Sequence, residues 1–325
     1  MSLGPFRLEP VFLDKVWAAP RLAGPLRPVL QAPEGTGEVW LASDRHHVTK
    51  VVEGEPAGLG LDQVVQRWPQ ELLGPERPGP EPGFPLLLKI LSVGAWLSVQ
   101  VHPDDQAARL MENEPWGKSE AWLILGAEPG AQIIMGLKPG TDREAVATAG
   151  GGLPELLARV PAAAGDVFHL PAGTVHATGP GLTIFEIQQA SDVTYRFYDW
   201  DRRGDDGKPR ELHQEKALQA MHAGGPGAAS KPVILQEGDN ACALLVDDPH
   251  FALIKAELNA PYQPFLAQPA LRLLFILQGE GSLRWPGGRA GLKPGHCWCL
   301  PHGLENAEIH PDSSLRFLES VALSA

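Results

Sequence analysis

Residues 164–177 read AGDVFHLPAGTVHA, and residues 294–307 read PGHCWCLPHGLENA. Aligned without a gap, they share a Gly (Gly165, Gly295), an apolar stretch closing in Leu-Pro (Leu170-Pro171, Leu300-Pro301) and a second Gly two residues later (Gly173, Gly303). A similar element precedes each copy, AWLILGAEPGAQIIMG in the first and LFILQGEGSLRW in the second. A strand bracketed by the same turn residues, recurring with its own approach segment, marks two related β modules. In this alignment His176 falls opposite Asn306 and Asp166 opposite His296. The second copy keeps the turn chemistry but lacks the ligand-type residue of the first, so a working site is expected in the first copy alone.

Around this repeat the chain reads as short strands joined by Gly- and Pro-rich turns, with a few helical insertions. Strands are expected near Glu38–Ala42 and in LLLKILSV, AWLSVQVH, SEAWLIL and AQIIMG. Helical spacing marks LDQVVQRWPQELLG, the run from Asp104 to about Met111 and the segment from about Asp142 to Val160, interrupted by Gly150–Gly152, while ELHQEKALQAMHAGG reads as a helix and linker. The Pro/Gly run ERPGPEPGFP and the triplet Gly150–Gly152 read as loops. The triplet follows no buried strand and precedes no Lys-Ser/Thr, which argues against a phosphate cradle. A Gly-Asp turn, a strand ending in Pro, a step to Gly and then His resembles the cupin motif, a small jelly-roll barrel with metal ligands on its inner face. The implied architecture is mainly β: two cupin-type jelly-roll barrels. Residues 1–225 form an N-terminal module with helical insertions, and residues 226–325 a degenerate C-terminal one.

A formal charge of −12 argues against nucleic acid as a partner, because phosphate backbones are bound through basic surfaces. The N-terminal MSLGPFRLEPVFLDKVW lacks the basic start and apolar run of a secretory signal, and no stretch reaches membrane-spanning length. Cys242, Cys297 and Cys299 form no disulfide framework. A cytoplasmic protein is expected, with no membrane partner. Cys297 and Cys299, in GHCWCLP, read as buried packing rather than metal ligands. Nothing in the sequence fixes an oligomeric state.

The chemistry concentrates in LSVQVHPDD, residues 97–105. In a strand, residues i and i+2 share a face, so Gln100 and His102 are aimed at one point. Glu120 in GKSEAW and His176 in PAGTVHATG lie at the mouths of other strand-like segments. One Gln, two His and one Glu make a nitrogen and oxygen set suited to a divalent metal acting as a Lewis acid.

SVQVHPDD, GKSEAWLIL, PAGTVHATGPGLTIFEIQQASDVTYRFYDWDR and PRELHQEKAL, in this order and spacing, resemble the type I mannose-6-phosphate isomerases, in particular their short bacterial form. The resemblance covers most of the chain. It implies a zinc ion held by Gln100, His102, Glu120 and His176, although some short bacterial members carry Lys where Gln100 stands, leaving three protein ligands. It implies interconversion of mannose 6-phosphate and fructose 6-phosphate through an enediolate, with Arg196 as a catalytic cation. It further implies that Lys89, Ser98 and Lys118 meet the sugar phosphate. The proton-transferring base stays open between Asp192, Glu186, a zinc-bound water and His102. Asp104 and Asp105 read as caps of the helix after His102. Longer family members carry a further helical domain where this chain has FYDWDRRGDDGKPREL, so contacts from that domain do not transfer. Two competing readings are a non-catalytic sugar-phosphate-binding or regulatory cupin and an iron-dependent cupin dioxygenase.

Overall fold

Strands Leu86–Val93 and Leu182–Gln189 are buried at every position, which an antiparallel sheet permits only when both of its faces are covered. The computed structural model, described over residues 3–20, 26–75, 83–203, 207–222, 224–263 and 270–323, shows what covers them. Four antiparallel sheets stack, and none is seen to close on itself among the described residues. The six-stranded sheet runs Val167–Leu170, Glu120–Ala127, Leu182–Gln189, Leu86–Val93, Thr36–Ala42, Val11–Asp14. One face packs on the five-stranded sheet Tyr195–Tyr198, Val99–Val101, His176–Thr178, Gln132–Leu137, Leu157–Pro161, through a core that includes Trp122, Ile124, Ile133, Phe168 and Ile184.

The other face packs on the eight-stranded sheet Val233–Gln236, Asn240–Asp247, Phe251–Leu258, Leu315–Ala322, Arg272–Gln278, Cys297–Leu300, Phe6–Glu9, Lys50–Glu53. Phe185 and Phe275 stack across that interface at 5.8 Å between ring centroids. Each is fully buried, and burial of a side chain this size stabilises by about 1.5–3 kcal/mol. A three-stranded sheet, Gly288–Leu292, Gly281–Trp285, Glu308–Pro311, closes the far side around Leu274, Ile276, Trp298 and Phe317. Two strands from the first sixty residues thus lie in the sheet built mainly from the C-terminal module.

The repeat is visible as geometry. Gly165 and Gly295 both take φ near +90°, at 96° and 83°, a turn conformation that favours glycine. Val167 pairs with Leu123 and Leu170 with Glu120, while Cys297 pairs with Phe275 and Leu300 with Arg272. Cys297 and Cys299 are unpaired thiols in the core between the two large sheets, and burial pushes the Cys297 thiol up to about 12.

Three expected elements change. LDQVVQRWPQELLG splits into helices Leu61–Arg67 and Pro69–Leu73, because Pro69 cannot donate to the preceding turn and instead starts a new one. Asp142–Val160 is not one helix: Arg143–Thr148 is helical, Gly150–Leu156 is a 3-10 turn that begins at the glycine triplet, and Leu157–Pro161 is a strand. AWLSVQVH contributes only Val99–Val101 as strand. Most of ERPGPEPGFP, residues 76–82, lies outside the described residues.

Candidate metal centre

The site forms where the five- and six-stranded sheets face one another. Arg196, Gln100, His176 and Met135 are successive cross-strand neighbours in the five-stranded sheet, so their side chains stand in one row on one face. His102, one residue past its strand, is turned into the same space, and its ring centroid lies 4.9 Å from that of His176. From the opposite sheet Glu120 completes the group. Donor atoms of His102, Glu120 and His176 all lie within 4.8 Å of one another, and each residue is only 1% exposed.

Local bonds explain the placement. Asp104 Oδ1 accepts from the Ala107 amide at 2.7 Å and starts the helix Asp105–Glu112, as expected. Asp105 does something else: its Oδ1 accepts from the Gly117 amide at 2.7 Å and from Gln189 Nε2 at 3.0 Å. Those bonds fasten the loop that delivers Lys118 and Glu120. Gly117 is required there, because a Cβ would meet the Asp104 backbone at 2.4 Å.

Both imidazoles are oriented by backbone carbonyls. His102 Nδ1 lies 2.8 Å from Val193 O, and His176 Nδ1 lies 2.9 Å from Thr174 O. A carbonyl only accepts, so each Nδ1 carries the proton and each Nε2 turns a lone pair to the centre. Glu120 Oε1 lies 3.1 Å from His176 Nε2, and Oε2 lies 3.5 Å from His102 Nε2. Neither buried carboxylate oxygen accepts an oriented hydrogen bond among the described residues. Two lone-pair nitrogens facing a carboxylate in a buried space call for a cation, and two His with one Glu is a zinc donor set.

Lys118 is the protein cation nearest at hand, with Nζ 3.1 Å from Glu120 Oε2 and 3.2 Å from His102 Nε2. Glu120 is pulled well below the carboxylate range: burial pushes it up, but Lys118, His176 and His102 outweigh that. His102 is held well below the ordinary histidine value by burial and then by Lys118. Gln100 Nε2 lies 3.3 Å from His176 Nε2, and its Oε1 accepts from Ser98 Oγ at 3.2 Å. A half turn of the amide presents the oxygen to the centre instead.

Behind the centre runs a buried polar chain. Trp122, two residues after Glu120 on the same strand face, packs T-shaped with His176 at 5.5 Å between ring centroids and donates from Nε1 to Glu186 Oε2 at 2.9 Å. Glu186 Oε1 lies 3.5 Å from Lys89 Nζ, which sits 4.9 Å over the Trp40 ring. Burial and Glu120 raise the Glu186 carboxyl despite Lys89 and Lys118. Arg196 is half-buried, and its Nε has no hydrogen-bond partner among the described residues. Asp192 is exposed. Gln100, His102, Glu120, His176, Ser98 and Lys118 thus lie in direct contact, with Lys89 reached through Glu186 and Trp122 and with Arg196 beside Gln100. Trp122 and the two orienting carbonyls were not singled out from the sequence. The alternation Lys118, Glu120, Trp122 was the signal for the tryptophan.

Residues 6–119 match the model of the phosphomannose isomerase type I catalytic domain. A mannose-6-phosphate isomerase of Streptococcus mutans is 35% identical over 311 residues, covering 94% of this chain and 96% of the relative. The crystal structure of a mannose 6-phosphate isomerase from Bacillus subtilis superposes with a TM-score of 0.85 at 29% identity, covering 98% of this chain and 99% of that one. A zinc-bound mannose 6-phosphate isomerase shares the fold at a TM-score of 0.74 and 15% identity, covering 98% of this chain and all of that one. With its similarity spanning nearly the whole length, the chain belongs to the type I phosphomannose isomerase family.

Proposed function

We propose that this protein is a zinc-dependent aldose–ketose isomerase that interconverts mannose 6-phosphate and fructose 6-phosphate through an enediolate. The observation that carries the reading is the buried convergence of His102 Nε2, His176 Nε2 and the Glu120 carboxylate. Gln100 joins them as a fourth ligand with its amide oxygen turned inward. When bound, zinc supplies positive charge beside the sugar oxygens on which negative charge develops.

The remaining work falls to the chain's own side chains. Arg196, standing in the same row as Gln100 and His176 with an uncommitted Nε, orients the substrate oxygens and steadies their charge. Lys118 and Ser98, and Lys89 from the polar chain behind, meet the sugar phosphate. His102 carries its proton against Val193 O and turns Nε2 to the metal, and Asp192 faces solvent. Glu186, whose carboxyl burial and Glu120 raise above its ordinary value, is the side chain we assign to proton transfer between C1 and C2.

On this reading residues 1–225 carry catalysis and residues 226–325 form a structural module. No helix among the described residues is long and apolar enough to cross a membrane. The unpaired thiols fit a reducing cytoplasm.

The test is to strip metal with a chelator and assay mannose 6-phosphate isomerisation before and after zinc is returned. Activity lost on stripping and restored by zinc supports the reading. Full turnover without metal, or a preparation that purifies with iron and isomerises no hexose phosphate when zinc-loaded, contradicts it.

A further inference from the structure

Arg196 lies on the edge strand of the five-stranded sheet, where one backbone side has no neighbouring strand among the described residues. A single residue takes both backbone groups on that side. The Arg196 amide donates to His213 Nδ1 at 3.3 Å, and the His213 amide donates to the Arg196 carbonyl at 2.8 Å. His213 is also the N-cap of the helix Gln214–Ala220, its carbonyl accepting from the Ala217 amide at 2.8 Å. Its side chain makes no cap bond to that helix. A Ser or Thr at this position would satisfy a helix amide, so a histidine turned away from the helix serves something else. What it holds is the backbone of Arg196.

We infer that His213 is a positioning residue for the isomerase reaction, fixing Arg196 beside Gln100 by accepting the Arg196 amide on a neutral imidazole nitrogen. The inference rests on the reading of Arg196 as the catalytic cation. The strand needs such a clamp, because its pairing with Val99–Val101 slips between Arg196 and Tyr198. With the sheet register irregular one residue away, the second side of Arg196 is fixed from outside the sheet. An acceptor at Nδ1 exists only while the ring is unprotonated, since imidazolium would set N–H against N–H.

The surroundings hold it in that form. Burial comes first, then Arg196, and Lys216 acts the same way, while Glu211, 3.9 Å from Nε2, and Glu112 oppose them. Tyr195 packs beside the ring, and Glu112 is itself bonded to Tyr195 and Lys216. The net effect lowers the His213 pKa from 6.5. A depressed value means that the clamp is present above pH 6.5 and is lost as pH falls through the folded pKa.

The zinc-loaded enzyme tests this with two substitutions that separate helix capping from positioning. His213→Ser supplies a good N-cap without an acceptor at the Nδ1 position, and should lower kcat roughly tenfold while the melting temperature holds. His213→Asn places Oδ1 where Nδ1 stood. It should restore most of kcat and remove the acid-side decline that His213 contributes, because the amide does not titrate. Native kcat in the Ser variant, or an Asn variant with the native acid limb, overturns the inference. Should the Ser variant unfold, the pH profile of the Asn variant decides alone. Arg196→Ala separates the two layers: native turnover there refutes the catalytic reading of Arg196, whereas an inactive Arg196→Ala beside a fully active His213→Ser refutes only the clamp.

Discussion

Where Leu170 of the first module faces Glu120 across the sheet, Leu300 of the second faces Arg272. Where Phe185 opposite Leu123 is followed by Glu186, Leu318 opposite Phe275 is followed by Glu319. Both modules therefore keep a buried carboxyl on the same strand. In the first it is partnered by Lys89 across the sheet, and in the second Ile254 stands at that cross-strand position. Glu319 is met instead by Arg272, at 3.0 Å, from the position that Glu120 fills in the first module. His176 is buried, while its counterpart Asn306 is exposed with φ at 52°. A guanidinium at the carboxylate position removes the charge that would attract a metal. One scaffold thus serves as a cation site or as a wall, and a few side chains decide which.

The largest expected effect comes from making the first module more like the second. Glu120→Gln removes the carboxylate charge from the His102, Glu120 and His176 cluster, and should abolish metal retention and lower kcat/KM by roughly a thousandfold or more, measured by metal analysis and isomerase assay. Next is Trp122→Phe, which keeps the ring against His176 and deletes the donor to Glu186. A buried acceptor left bare costs about 1–3 kcal/mol, readable by denaturant unfolding, and turnover should drop roughly tenfold because Glu186 is no longer fixed.

A smaller effect is expected at Glu319, which burial raises to about 7 against the opposing pull of Arg272. A carboxyl with a raised folded value stabilises most below its ordinary value of 4.5 and loses that contribution as pH rises through about 7. Glu319→Gln should flatten this decline, so the variant gains relative to the native protein between pH 5 and pH 8 in thermal unfolding. Isomerase activity and zinc content should not change. The smallest effect belongs to Asn306→His: with Arg272 in place, the added imidazole should bring no second metal, and a zinc content above that of the native protein would break the comparison.

Much of this was legible in the sequence because it is local. The repeat with its Gly and Leu-Pro punctuation, the shared face of Gln100 and His102 in VQVH and the capping Asp104 are all written within a few residues. The break at Gly150–Gly152 was legible, but the strand after it was not, since helical spacing continues through LPELL while the glycines and Pro154 favour a tighter turn. The orientation of His102 and His176 was not legible, because it depends on carbonyls of Val193 and Thr174 that any residue could supply. His213 escaped for a similar reason: a histidine before a helix looks like a poor cap until the strand it grips is seen. The exchange of Glu120 for Arg272 needed the cross-strand register, since a gapless reading of LFILQGEG against the first copy misses it by one residue.

The central claim is that His102, Glu120 and His176 hold the metal on which turnover depends. It is tested most directly by measuring zinc content and mannose 6-phosphate isomerisation together in native protein and in His176→Ala. The account predicts stoichiometric zinc and turnover in the first, and loss of both in a folded second. Native zinc content in His176→Ala, or isomerisation that survives without zinc, would contradict it.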